Sequence, residues 1–226
     1  MIIKSHKQFA GYFDHTVLKP EAQKDDVIKT CSDAMNYGFH SVFVNPCWIS
    51  FAADLLKGSS VNVGVPIGFP LGASTTRVKA FEVEDAIQNG ASEVDMVINI
   101  GALKDRNYEI VRKDIAEVVR SSQTFTCKVI IETHLLSDEE KVNACKIAEQ
   151  AGATFVKSNT GFFDGYAKLE DIQLMRNAVG KEMRVKASGG IRCLSGALKL
   201  IEAGADRLGC SKSVDIVNQW ICDYGK

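Results

Sequence analysis

Residues Glu149 to Gly161 read EQAGATFVKSNTG, and the order of residue types in this stretch decides the fold. A helical segment ends at Ala151-Gly152, the apolar pair Phe155-Val156 follows, and a charged residue, Lys157, closes the run. Glycine just past a helix end accepts the left-handed backbone that other residues resist, so the chain turns back tightly into a strand. The same junction occurs at Asn36-Tyr37-Gly38 before Ser41-Val42-Phe43-Val44, at Asn89-Gly90 before Glu93-Val94-Asp95-Met96-Val97, and at Ala203-Gly204 before Arg207-Leu208-Gly209. These are helix-to-strand turns of one repeated unit.

The segments that feed the turns carry helical periodicity, as in Val27, Ile28, Cys31, Ala34 and Met35, or Val111, Ile115, Val118 and Val119. Ser137 with Glu140 reads as a capping box before Val142, Cys145 and Ala148. Further helices are expected at Ile172, Met175 and Val179, at Leu194, Leu198 and Ile201, and at Val214, Val217 and Ile221. Strands centre near Phe13, Phe43, Val63, Val94, Ile130, Phe155, Val185 and Leu208. Several are continuously apolar, the pattern of strands covered on both faces. Eight β/α units in so short a chain predict a compact (β/α)8 TIM barrel occupying residues 1–226 as one domain. A doubly wound open sheet is the alternative.

Composition narrows the function. The 226 residues are 46% hydrophobic and carry 27 Lys+Arg against 28 Asp+Glu, so the net charge is -1 and no bulk positive field favours nucleic acid or an anionic membrane. The opening MIIKSHKQFAGYF lacks the apolar stretch of a signal peptide, and no run is long enough to span a bilayer, so a cytoplasmic protein is expected. Seven scattered cysteines without a C-x-x-C pair read as reduced core thiols. The four histidines show no helical pairing with each other or with a cysteine, so no metal site is expected.

In barrels the active face forms at the C-terminal strand ends, where this chain has Asp14, Asn45, Asp95, Glu132, Lys157 and Lys186. Lys157 and Lys186 end neighbouring strands. Two ammonium groups held together with little water cannot both stay charged comfortably, and a lysine that loses its proton is a nucleophile toward carbonyls. Asp95, two strands away, is placed to relay a proton. The loops Ala187-Ser188-Gly189-Gly190-Ile191-Arg192 and Leu208-Gly209-Cys210-Ser211-Lys212-Ser213 follow the seventh and eighth strands, where barrels commonly bind phosphate. Thr160-Gly161 completes the cradle, and the expected ligand is a phosphorylated sugar or aldehyde. Gly68-Phe69-Pro70-Leu71-Gly72 reads either as a substrate-contacting loop or as a tight turn before a helix near Thr75.

These motifs, with Asp14-His15-Thr16-Val17-Leu18, Val44-Asn45-Pro46, Lys128-Val129-Ile130-Ile131-Glu132-Thr133 and Phe155-Val156-Lys157-Ser158-Asn159-Thr160-Gly161-Phe162, run across nearly the whole chain. In them the sequence resembles the deoxyribose-phosphate aldolases, class I aldolases on a (β/α)8 barrel. The resemblance implies a Schiff base on Lys157, a pKa lowered by Lys186, and a proton relay through Asp95 and Lys186. It implies reversible cleavage of 2-deoxy-D-ribose 5-phosphate to acetaldehyde and D-glyceraldehyde 3-phosphate, with no cofactor, and phosphate held by Gly161, Gly189, Gly190, Arg192, Gly209 and Ser211. A homodimer goes with it, as does a C-terminal tyrosine, here Tyr224, reaching into the site. Ser158-Asn159 stands where the family usually has Thr-Ser, and Cys210 and Lys212 where it often has small residues. Two rivals stay open: a Schiff-base aldolase for another sugar phosphate, and a phosphosugar-binding barrel without catalysis.

Overall fold

The computed structural model describes residues 3–225. Its strands are β1 Phe13–Val17, β2 Ser41–Val44, β3 Asn62–Ile67, β4 Glu93–Val97, β5 Thr126–Ile130, β6 Phe155–Lys157, β7 Arg184–Ser188 and β8 Arg207–Cys210. Each pairs in parallel with the next, and β8 returns to β1 through Phe13↔Leu208, Asp14↔Gly209 and His15↔Cys210. The sheet therefore closes without an edge, and the open-sheet alternative does not describe it. Every expected strand centre lies in its strand.

The helices are α1 His6–Ala10, α2 Lys24–Tyr37, α3 Ile49–Leu55, α4 Thr76–Gln88, α5 Ile100–Lys104, α6 Tyr108–Ser121, α7 Asp138–Gln150, α8 Leu169–Ala178, α9 Leu194–Glu202 and α10 Ser213–Tyr224. All four junction glycines take positive φ, from 75° at Gly38 to 110° at Gly204. Ser137 and Glu140 form the expected capping box at the start of α7. Helix α4 starts at Thr76 with Thr75 as its cap, but α8 ends before Val179, which is already extended.

Alternate residues of each strand face opposite sides. Val42, Val44, Val63, Val65, Val94, Met96, Val129, Val156, Val185 and Leu208 face outward and join the apolar stripes of the helices in one core. The inward set is different in kind: Asp14, Phe43, Gly64, Glu93, Asp95, Lys128, Phe155, Lys157, Lys186 and Arg207. Barrel lumens are ordinarily filled with branched apolar side chains. Here the filling is ionic, wrapped around two phenyl rings. Four cysteines, Cys31, Cys127, Cys145 and Cys210, are buried as expected, whereas Cys47 in the turn after β2, Cys193 just before α9 and Cys222 on α10 lie at the surface.

Candidate active site

The centre of the site is one carboxylate oxygen. Asp95 Oδ2 accepts from Lys157 Nζ at 2.8 Å and from Lys186 Nζ at 2.7 Å, so the two ammonium nitrogens are no further apart than the sum of those bonds. Strand register brings this about: Lys157 and Lys186 are Cα partners across β6 and β7, and Asp95 is the partner of Lys128 across β4 and β5. All four point into the lumen, and Asp95, Lys128 and Lys186 have no solvent exposure.

Beneath this pair the ionic network continues. Lys186 Nζ lies 2.5 Å from Asp14 Oδ2, and Arg207 Nη1 donates to Asp14 Oδ1 at 2.8 Å, as does Ser41 Oγ at 2.7 Å. Lys128 Nζ donates to Glu93 Oε2 at 2.6 Å and lies 3.1 Å from Asp95 Oδ1. Three carboxylates, Asp14, Glu93 and Asp95, thus meet three interior cations, Lys128, Lys186 and Arg207, and Lys157 is the fourth cation. The plug balances when Lys157 is neutral.

Each shift has a physical cause. Burial opposes the charge of Asp95, but Lys128, Lys157 and Lys186 outweigh it and hold this carboxyl well below the usual range; Lys186, Lys128 and Arg207 do the same for Asp14. Burial, then the charge of Lys186, lowers Lys157 against the pull of Asp95, bringing it from 10.5 to about 8. Lys186 lowers Lys157 in the expected direction, and loss of water around the amine contributes the larger share. Lys128, surrounded by carboxylates, moves the other way and stays charged.

Sequence reasoning missed four members of this network: Lys128, Glu93, Arg207 and Phe43. The Phe43 ring lies under three ammonium groups, 4.0 Å from Lys186, 4.6 Å from Lys128 and 5.8 Å from Lys157, where the negative ring face stabilises cations. The ring fits because residue 64 is glycine; a Cβ there would stand 2.3 Å from Phe43 Cζ. The available signal was the alternation itself, since Glu93 and Lys128 are two-residue neighbours of inward-facing Asp95 and Ile130.

Above the network opens a cavity of about 1000 Å³. Lys157, Thr160, Gly161, Gly189, Gly190, Arg192, Gly209 and Ser211 all line it, with Cys210 and Lys212. Gly189 and Gly190 have φ of 99° and 69°, a backbone turn whose N–H groups can form an anion-binding hollow. Cys210 ties the two glycine loops together: its thiol donates to Ile191 O and accepts from Lys212 N, both at 3.1 Å. Ser158 Oγ donates to Ser188 O at 3.0 Å and accepts from Ser188 N at 3.0 Å, stapling the ends of β6 and β7. Phe69 packs edge-on against Phe162 at 5.0 Å, so the loop after β3 meets the rim. Asn45 does not line the cavity; its amide donates to Leu18 O and Lys19 O and secures the loop after β1.

One expected residue is absent from the mouth. Tyr224 ends α10, which runs from the β8 loop back toward the opposite end of the barrel; its ring packs at 5.4 Å on Trp220, which stacks on Phe9 of α1. It is 60% exposed there. A second groove, about 860 Å³ between α4 and α6 and lined by Arg77, Phe81, Glu84 and Arg112, contains no luminal residue. Among the described residues no helix is long and apolar enough to cross a membrane.

A closed (β/α)8 barrel whose mouth joins a buried lysine to glycine-rich loops defines an enzyme of the aldolase class, a lyase. The chain belongs to the DeoC/LacD family of aldolases, whose model matches residues 9–216. It is 58% identical over 206 residues to the deoxyribose-phosphate aldolase of Streptococcus sanguinis, covering 91% of this chain and 94% of that one. Among solved structures it resembles the aldolase QR15, with a TM-score of 0.91, 36% identity, and 98% and 97% of the two chains covered. It also resembles the tetrameric deoxyribose phosphate aldolase of Aeropyrum pernix, with a TM-score of 0.89, 29% identity, and 96% and 92% covered.

Proposed function

We infer that the whole chain, residues 1–226, acts as one catalytic domain in the cytoplasm that reversibly cleaves 2-deoxy-D-ribose 5-phosphate to acetaldehyde and D-glyceraldehyde 3-phosphate. The observation that carries this reading is the shared Asp95 oxygen: it holds a lysine of lowered pKa at the floor of a cavity also lined by Gly161, Gly189, Gly190 and Gly209.

The chemistry follows from that geometry. Neutral Lys157 attacks the aldehyde carbon of the open-chain sugar, and the carbinolamine loses water to give a protonated imine. The imine withdraws the electron pair of the C2–C3 bond as the C3 hydroxyl gives up its proton, which releases D-glyceraldehyde 3-phosphate and leaves an enamine on Lys157. Protonation of the enamine carbon and hydrolysis of the resulting imine release acetaldehyde and restore the amine. Asp95 is the proton carrier within hydrogen-bond reach of that nitrogen, and Lys186, bonded to the same Asp95 oxygen, is the next carrier along. The Gly161, Gly189, Gly190 and Gly209 backbone, Thr160, Arg192 and Ser211 hold the phosphate, and Asp14 pairs with Lys186 at 2.5 Å. A homodimer is the assembly that goes with this reading, unlike the tetramer named for the Aeropyrum pernix relative.

The test is borohydride reduction in the presence of acetaldehyde or deoxyribose 5-phosphate. The mass of the adduct is expected on the peptide containing Lys157, and none in Lys157→Leu. A parent protein that gains no mass refutes the aldolase reading and leaves a phosphosugar-binding barrel.

A further inference from the structure

Glu132 is a buried carboxylate in a conformation few residues of its kind adopt. It lies two positions beyond β5 with φ 58° and ψ 67°, the left-handed region, and has no solvent exposure. Glutamate there costs on the order of 1–3 kcal/mol, and such positions cluster where function over-determines the backbone. Unlike Asp14, Glu93 and Asp95, it pairs with none of the luminal lysines. Its Oε2 accepts from the Thr160 backbone N–H at 2.9 Å, and its Oε1 lies 3.0 Å from His134 Nδ1.

The hydrogen-bond ladder explains why. Ile131 N donates to Lys157 O at 3.0 Å, as parallel pairing of β5 with β6 requires. In an unbroken ladder the next donor, Thr133 N, would meet residue 159; it meets Ser158 O instead, at 3.1 Å. The left-handed turn at Glu132 thus absorbs one residue, as a β-bulge does, and the break leaves the amide of Thr160 without a strand partner. The Glu132 side chain supplies the missing acceptor. Three successive residues, 131 to 133, therefore grip the chain at Lys157, at Ser158 and at Thr160, the point where it becomes the wall of the cavity.

We propose that Glu132 is a positioning residue for the reaction: its carboxylate sets the Thr160-Gly161 segment against the phosphosugar at a fixed distance from Lys157. His134 caps the free carboxylate oxygen and packs against the same loop, where a Cβ at Gly165 would stand 2.3 Å from His134 Nδ1. The inference rests on the aldolase reading and adds to it a residue that touches no substrate.

Three variants test it. Glu132→Asn keeps a residue that tolerates left-handed backbone but is one methylene too short to reach Thr160 N. Glu132→Gln keeps the reach and the acceptor, and Glu132→Ala removes both. For Glu132→Asn and Glu132→Ala, KM for deoxyribose 5-phosphate is expected to rise about tenfold, the scale of one lost buried hydrogen bond to a charged acceptor, while borohydride trapping of acetaldehyde on Lys157 stays within about twofold of the parent. Glu132→Gln is expected to restore KM. An unchanged KM in Glu132→Asn overturns the proposal. So does a Glu132→Gln that is as impaired as Glu132→Asn, or trapping that falls in step with KM, since each would make the residue a general structural prop. A parent enzyme that fails to trap acetaldehyde refutes the aldolase reading itself, a separate outcome.

Discussion

Replacing Lys186 with methionine keeps most of its bulk and its burial while removing its charge. In the structure that charge rests on the carboxylate oxygen that also receives Lys157. Two unit charges about 5 Å apart repel by about 3 kcal/mol at an effective dielectric near 20, and each 1.4 kcal/mol is tenfold in an ionisation equilibrium. Burial, the larger cause of the lowered Lys157 value, stays in place, so the amine recovers only part of the way from about 8 toward 10.5. At pH 7 the neutral fraction, about one in ten in the parent, is expected to fall by about tenfold to hundredfold. The assay is the initial rate of borohydride-trapped acetaldehyde adduct on Lys157, measured across pH; it isolates imine formation from later proton transfers that Lys186 also serves. The variant is expected to trail the parent by that factor at neutral pH and to converge with it at alkaline pH. Methionine also removes one of the cations around Asp14, which keeps Arg207 at 2.8 Å, so Lys186→Met with Asp14→Asn, which takes away one buried charge of each sign, serves as the companion. A pH midpoint for trapping that matches the parent in both variants would refute the electrostatic reasoning.

Two further outcomes concern stability. Folded Lys157 holds its proton less tightly than the unfolded chain, so the native state is penalised at neutral pH and relieved as pH rises from about 8 to 10.5. Buried Cys31 and Cys210, raised to about 11, and Cys127 and Cys145, raised to about 12, act with the opposite sign above their ordinary value, so the lysine effect is read as a difference. The stability of Lys157→Met relative to the parent should decline by about 3 kcal/mol across that window in urea unfolding, and a difference independent of pH would contradict the shift. Gly64→Ala forces a methyl group into the Phe43 ring and should cost about 1–3 kcal/mol or more by denaturant midpoint; a neutral substitution would mean that the ring is free to move off the lumen floor.

The fold was legible because its signals are local. Helical periodicity, the glycine turns before β2, β4, β6 and β8, and the capping box at Ser137 each depend on residues within a few positions of one another, and all appear in the structure. Lys157, Lys186 and Asp95 were legible for a similar reason: each closes or interrupts an apolar strand run, where a charge stands out. Lys128, Glu93 and Arg207 begin or flank such runs and read as ordinary strand-end charges. Phe43 read as one more apolar strand residue.

What the amino-acid order determined by itself was the succession of eight β/α units and the identity of the lysines at strand ends. Tertiary structure alone decided which charges meet. The parallel register sets Asp95 beside Lys128 and Lys157 beside Lys186, and closure of the barrel turns side chains from β1, β4, β5, β6, β7 and β8 toward one axis. It also decided that loss of water outranks the neighbouring cation in lowering Lys157, that α10 carries Tyr224 away from the mouth, and that Glu132 spends its carboxylate on a backbone amide. Periodicity is a property of neighbours along the chain, whereas an electrostatic field sums over groups that only folding brings within a few ångströms.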